Sequence, residues 1–155
     1  MMPKGLKTEI KQTKPFASLE EEAMLALART NDRLAREAHA LFKEHGLTAT
    51  QYNVLRILRG AGSAGLTCSE IAERMVTRDP DITRLLDRME RTGLCARERD
   101  ARDRRVIVVR ISTQGLKTVN DLDQPINQLN RSMLGHMGEK RLRSLLRLLE
   151  AARNA

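Results

Sequence analysis

The chain has 155 residues, 41% apolar and 31% charged, enough for one domain with an appended oligomerisation element, and no run approaches the ~20 apolar residues of a membrane span. Lys and Arg number 28 against 20 Asp and Glu, a formal net charge of +8 that favours polyanionic partners, nucleic acid first. Two cysteines without a CxxC and three scattered histidines offer no metal-ligand spacing, and neither a Gly-rich phosphate loop nor a partnered nucleophile occurs, so no metal, cofactor or catalysis is expected.

Residues 1–17 carry Lys4, Lys7, Lys11 and Lys14 with two prolines and little that can pack, which predicts a flexible basic tail. No apolar stretch follows these lysines, so no secretory signal is read and a cytoplasmic location is expected. Ser18-Leu-Glu-Glu21 has the form of a capping box and opens a long helix to about His45. In it Leu27, Leu34 and Leu41 recur every seven residues beside Ala23, Ala38 and Phe42, a stripe suited to packing on another helix, including one from a second chain. Thr48–Gln51 and Thr67–Glu70 are two further capping boxes. The first heads a helix with Tyr52, Leu55 and Leu58 inward, the second a short helix with Ile71, Ala72 and Met75 on its apolar face.

A turn at Thr77–Asp79 precedes a helix expected from Pro80 to Thr92. Its buried Ile82, Leu85, Leu86 and Met89 fall at i, i+3, i+4 and i+7, and Gly93 closes it. Two short helices in this relation spell a helix-turn-helix. Leu94–Arg99 and Val106–Ile111 then read as strands around the charged tip Asp100–Arg104, and a hairpin placed directly after a helix-turn-helix is a wing. Ser112 or Thr113 caps the next helix. Leu116, Val119, Ile126, Leu129 and Met133 mark its buried face, with a kink expected at Pro125. A last helix carries Leu142, Leu145, Leu146 and Leu149. The fold class is mainly α with a small β-hairpin wing. The winged helix-turn-helix occupies 47–112, flanked by helices in 18–46 and 113–155.

The helix after Pro80 turns Asp81, Thr83, Arg84, Asp87, Arg88 and Arg91 outward, and a groove-reading helix needs short polar residues and arginines there. Between Arg97 and Arg110 stand six arginines and three acids, a local excess of three positive charges. Guanidinium groups suit a narrow minor groove, and Asp103, two positions before Arg105 on one side of the strand, is placed to aim that side chain.

Asp103-Arg-Arg105, the strand behind it and Ser112-Thr-Gln-Gly115 resemble the wing signature of the MarR family. Ile71–Met75 and Ile82–Leu94 are similar to its two helix-turn-helix helices. The resemblance spans about Ser18 to Leu149. It implies a homodimer on a pseudo-palindromic double-stranded operator, a regulator of transcription, by default a repressor, released by a small-molecule effector. It assigns groove contacts to Thr83, Arg84 and Arg88, wing contacts to Arg102, Arg104 and Arg105 with Asp103 orienting, and phosphate contacts to Thr48, Thr50 and Ser69 at helix N-termini. Arg78 in the turn completes the DNA-contact set. Asp81 stands where the family often has a small hydroxyl residue, and a carboxylate facing phosphates is unfavourable there unless it caps the helix or accepts from cytosine. Effector contacts would fall on His39, Phe42 and Tyr52. Two alternatives stay open: a thiol-sensing regulator using Cys68, and a winged-helix adaptor for other partners.

Overall fold

The computed structural model describes residues 5–78 and 81–154. The expectations that fall on residues 1–4, on Asp79 and on Pro80 as the first residue of the groove-reading helix lie outside the described residues. The chain divides into two compact units, residues 1–37 and 38–155.

In the first unit the expected tail contains a single helical turn, α1 (Leu6–Glu9), where the Thr8 and Glu9 amides donate to the Gly5 carbonyl. Helix α2 (Leu19–Glu44) starts as its capping residues dictate. Ser18 Oγ accepts from the Glu21 amide at 3.1 Å, and the Glu21 carboxylate reaches back to Ala17, one residue earlier than the box requires. The α2 residues of this unit bury nothing. Leu19, Met24 and Leu27 are 81%, 68% and 44% exposed.

The second unit holds the core. Ala38 and the buried Phe42, from the last two turns of α2, pack onto it, and Gly46 at φ 68° turns the chain into α3 (Ala49–Ala61). Both Thr boxes form in full, at the starts of α3 and of α4 (Cys68–Arg74). Helix α5 (Ile82–Arg91) is capped by Asp81, whose carboxylate accepts from the Arg84 amide at 3.3 Å. Leu85, Leu86 and Met89 are fully buried against Val54, Leu55, Leu58 and Ile71. Burying a side chain of this size is worth about 1.5–3 kcal/mol, so this packing fixes which face of α5 turns outward.

Strands β1 (Cys95–Arg99) and β2 (Ile107–Ile111) pair antiparallel, with Cys95 opposite Ile111 and Arg99 opposite Ile107. Leu66 adds a bridge on the other edge of β2, exchanging both backbone hydrogen bonds with Val109 at 3.0 and 2.7 Å. This third partner comes from the loop before α4 and ties the wing to the helix-turn-helix. Ser112 caps α6 (Thr113–Asp121) and donates its hydroxyl to the Gly93 carbonyl. Gly115 is obligatory there, since a Cβ would lie 2.1 Å from the Leu94 carbonyl oxygen.

The kink expected at Pro125 is a full break at Leu122, after which α7 (Asp123–Leu134) starts afresh. Proline at the third position of α7 lacks the amide that would have bonded the Asp121 carbonyl. Leu122 rotates into the core at 0% exposure, while Leu116, expected in the buried stripe, stays 39% exposed. Arg59 of α3 clamps this break with a bidentate pair to Asp123 at 2.8 and 3.0 Å and a bond to Asn120. That pair holds the Asp123 carboxyl below its usual pKa. The last helix, α8 (Gly138–Arg153), has Leu146 and Leu148 65% and 69% exposed. Among the described residues no helix is long and apolar enough to cross a membrane.

Candidate nucleic-acid interface

The outward face of α5 follows from its buried one. Thr83, Arg84, Arg88 and Arg91 are exposed. Arg84 folds back on the capping carboxylate, its Nε 3.0 Å from Asp81. Asp87, expected outward with them, is instead turned toward the wing and pairs with Arg97 at 2.6 Å. Ahead of α5, Asn53 accepts the Val76 amide at 2.8 Å and so fixes where the chain leaves α4. Arg78 lies exposed just beyond.

The six wing arginines divide into two kinds. Arg97 and Arg110, at the base, are consumed by structure. Arg97 pairs with Asp87 and Glu90, and Arg110 pairs with Glu98 while donating to the carbonyls of Ser63 and Ala64. Burial works against the charged form of Arg97, but hydrogen bonds to the two carboxylates more than offset it, so its pKa is raised. Arg99 donates to the Arg104 carbonyl at 3.1 Å across the tip. The remaining three, Arg102, Arg104 and Arg105, are exposed and make no ion pair among the described residues.

Two carboxylates build the turn that carries them. Asp100 accepts the amides of Arg102 at 2.7 Å and Asp103 at 3.0 Å, and these bonds hold its carboxyl below the ordinary pKa. Asp103 accepts the Arg105 amide at 2.9 Å. The expectation that Asp103 grips the Arg105 guanidinium is therefore corrected. Residues 103–105 lie in the turn and not on a strand, which brings the backbone amide, not the side chain, to the carboxylate.

Thr48 caps α3 and its hydroxyl meets that of Thr50 at 2.9 Å, while Ser69 is exposed, 3.3 Å from the Thr67 hydroxyl. Both pairs stand at helix N-termini, where backbone amides and the helix dipole favour an anion.

Phe42 and Tyr52 stack with ring centroids 4.7 Å apart, and Arg56 lies over the Tyr52 ring at 5.9 Å. Burial is the main cause that raises the Tyr52 pKa. An open groove of about 190 Å³ runs beside this stack, lined by Thr50, Tyr52, Asn53, Arg56, Met75 and Val76. Of the three residues expected at an effector, Tyr52 lines it, Phe42 supports Tyr52 from the core, and His39 is exposed and outside the lining. The sequence reading missed Asn53 and Arg56, which share the Tyr52 side of α3 and were visible as a polar neighbour and an i+4 cation. Cys68 Sγ lies 3.9 Å from the Thr83 hydroxyl, and burial pushes the Cys95 thiol up to about 11.

A capped helix pair, a polar and basic outer face on the second helix, and an arginine-tipped hairpin anchored beside it define a winged helix-turn-helix regulator of transcription that binds DNA. Comparison with known proteins gives the family. Residues 47–107 match the MarR family model. A MarR transcription factor from Planctomyces limnophilus is 41% identical in sequence, covers 88% of this chain and 99% of its own, and superposes with a TM-score of 0.67. The homoprotocatechuate degradative operon repressor of Escherichia coli is 26% identical over 132 residues, 85% of this chain and 88% of that protein. A structure of Bordetella bronchiseptica BpsR, described by regulation of its DNA binding by 6-hydroxynicotinic acid, shares the fold at a TM-score of 0.79 and 21% identity, covering 92% and 99% of the two chains. The chain belongs to the MarR family of transcription regulators.

Proposed function

We propose that the protein is a homodimeric repressor that reads a pseudo-palindromic operator and is released by a small aromatic acid. Residues 47–112 are the DNA-reading part, and helices within 18–46 and 113–155 join the two copies. Each α5 enters a major groove with Thr83, Arg84 and Arg88 toward the bases, at a spacing of roughly 34 Å between the two copies. Arg102, Arg104 and Arg105 enter the flanking minor groove, Asp103 holds their turn, and Arg78, Thr48, Thr50 and Ser69 meet phosphates.

The single observation that carries this reading is the tip itself, where three exposed arginines that make no ion pair among the described residues stand on a turn pinned by Asp100 and Asp103. An arginine cluster serving only solubility needs no such scaffold. The dimer is supported by the exposed large apolar side chains Leu19, Met24 and Leu27 on one helix and Leu146 and Leu148 on another. The effector class is supported by the groove beside Tyr52, by the guanidinium of Arg56, and by the aromatic acids in the names of two relatives.

The test selects bound fragments from the host genome with purified protein, then titrates the recovered duplex at several salt concentrations. Log affinity falls linearly with log salt, with a slope of about −0.9 for each phosphate neutralised. A monomer at micromolar concentration in sedimentation, or a protein indifferent to every duplex in dilute buffer, contradicts the proposal. Homoprotocatechuate and 6-hydroxynicotinate, added to the complex, test release.

A further inference from the structure

Arg97 belongs to the arginine-rich hairpin by sequence, yet its guanidinium points away from the tip and lies across the recognition helix. Nη1 sits 2.6 Å from Asp87 and 2.9 Å from Glu90, and Nη2 donates to the Thr83 carbonyl at 3.3 Å. The other Glu90 oxygen accepts the Arg97 backbone amide at 2.9 Å, so that one carboxylate grips both the main chain and the side chain of β1. Thr83, Asp87 and Glu90 fall at i, i+4 and i+7, a single stripe two turns long on the flank of α5. The side chain is 26% exposed, against 46% and 38% for its two acids.

We propose that Arg97 is a positioning residue for DNA recognition: a strut that sets the spacing and angle between the groove-reading helix and the wing, and through them discrimination between operator and unrelated DNA. The inference rests on the DNA-binding reading above. A planar group with several donors can span three acceptors on one helix flank, and a lysine ammonium cannot. The strut also turns two carboxylates of α5 away from approaching phosphates. The outward Thr83 side chain and the wing-facing Thr83 carbonyl belong to one residue, so moving the strut moves a base-facing group directly. Specific binding depends on that placement, because helix and wing must reach their two grooves together. Non-specific binding depends on charge and does not need it.

Charge and position make opposite forecasts for Asp87→Asn combined with Glu90→Gln. Removing two negative charges from a DNA-binding face tightens binding if electrostatics alone matters. Loss of the strut lowers operator affinity relative to an unrelated duplex by about tenfold, comparable to misreading about one base pair. Both duplexes are titrated over a range of salt, with wild type, the double variant and Arg97→Lys, and each protein is checked by thermal melting. Arg97→Lys keeps the charge and is expected to lose discrimination with an unchanged salt slope. An unchanged operator-to-random ratio in both variants overturns the strut, as does a salt slope about 0.9 smaller in a further variant that removes the charge, Arg97→Met, which marks Arg97 as a phosphate contact. Failure of the wild type to bind either duplex overturns the DNA-binding reading and the strut with it, whereas binding by wild type with indifferent variants removes the strut alone.

Discussion

At the base of the wing, Arg97 and Arg110 each reach a carboxylate and at least one backbone carbonyl, and only about a quarter of each side chain meets solvent. At the tip, Arg102, Arg104 and Arg105 are exposed, and the nearby acids spend their oxygens on backbone amides instead. The residue type is the same, and within fourteen residues it does two opposite jobs. At the base, positive charge is neutralised locally to join strand and helix. At the tip, carboxylates shape the turn through backbone amides, and the guanidinium groups of Arg102, Arg104 and Arg105 make no ion pair among the described residues. A count of net charge over the hairpin hides this division, because the carboxylates paired with Arg97 belong to α5, outside the hairpin.

Variants that attack the base should cost stability, and variants at the tip should cost affinity at constant stability. The largest effect is expected at Gly115, which lets α6 close beneath the base. Gly115→Ala drives a methyl into the Leu94 carbonyl and should lower unfolding free energy by about 3 kcal/mol, read from urea denaturation. Asp103→Ala should weaken operator binding about fivefold, the equivalent of ~1 kcal/mol for the lost turn bond, although it removes a negative charge. Tighter binding by this variant would mean that the tip works by charge alone. Arg110→Met should cost about 1 kcal/mol of stability, because its ion pair is partly solvent-screened, and should leave the salt slope of DNA binding untouched.

The last effect, confined to alkaline pH, concerns Cys95, where β1 begins. Its thiol is raised from an ordinary value of 9.0 to about 11 in the folded chain. A raised acid favours the protonated fold, so its stabilisation is complete below pH 9 and is lost as pH climbs toward 11. The difference in stability between wild type and Cys95→Val should therefore change across that window and be flat below it.

Local chemistry was legible in the sequence. The Thr48 and Thr67 boxes, the i, i+3, i+4, i+7 pattern of α5 and the β-branched run of β2 each depend on neighbours within a few residues, and each formed. What escaped is non-local or turns on which atom of a residue is used. Arg97 finds its partners 7 and 10 residues upstream, Arg110 finds carbonyls 46 and 47 residues away, and Leu66 joins β2 across 43 residues. No periodicity encodes those pairings. Asp103 and Arg105 depart from expectation in another way: they meet, but in a turn, which brings the backbone amide and not the guanidinium to the carboxylate. The break at Leu122 shows the same limit: Pro125 marks a disruption in the sequence, but the break falls three residues earlier.

The division between base and tip is tested most directly by replacing Arg102, Arg104 and Arg105 together with alanine. The salt slope of operator binding is then compared with that of wild type, alongside the melting temperature of each protein. The account expects the slope to shrink by about 0.9 for each arginine that meets a phosphate, with melting unchanged. An unaltered slope, or a large fall in melting temperature, would contradict it.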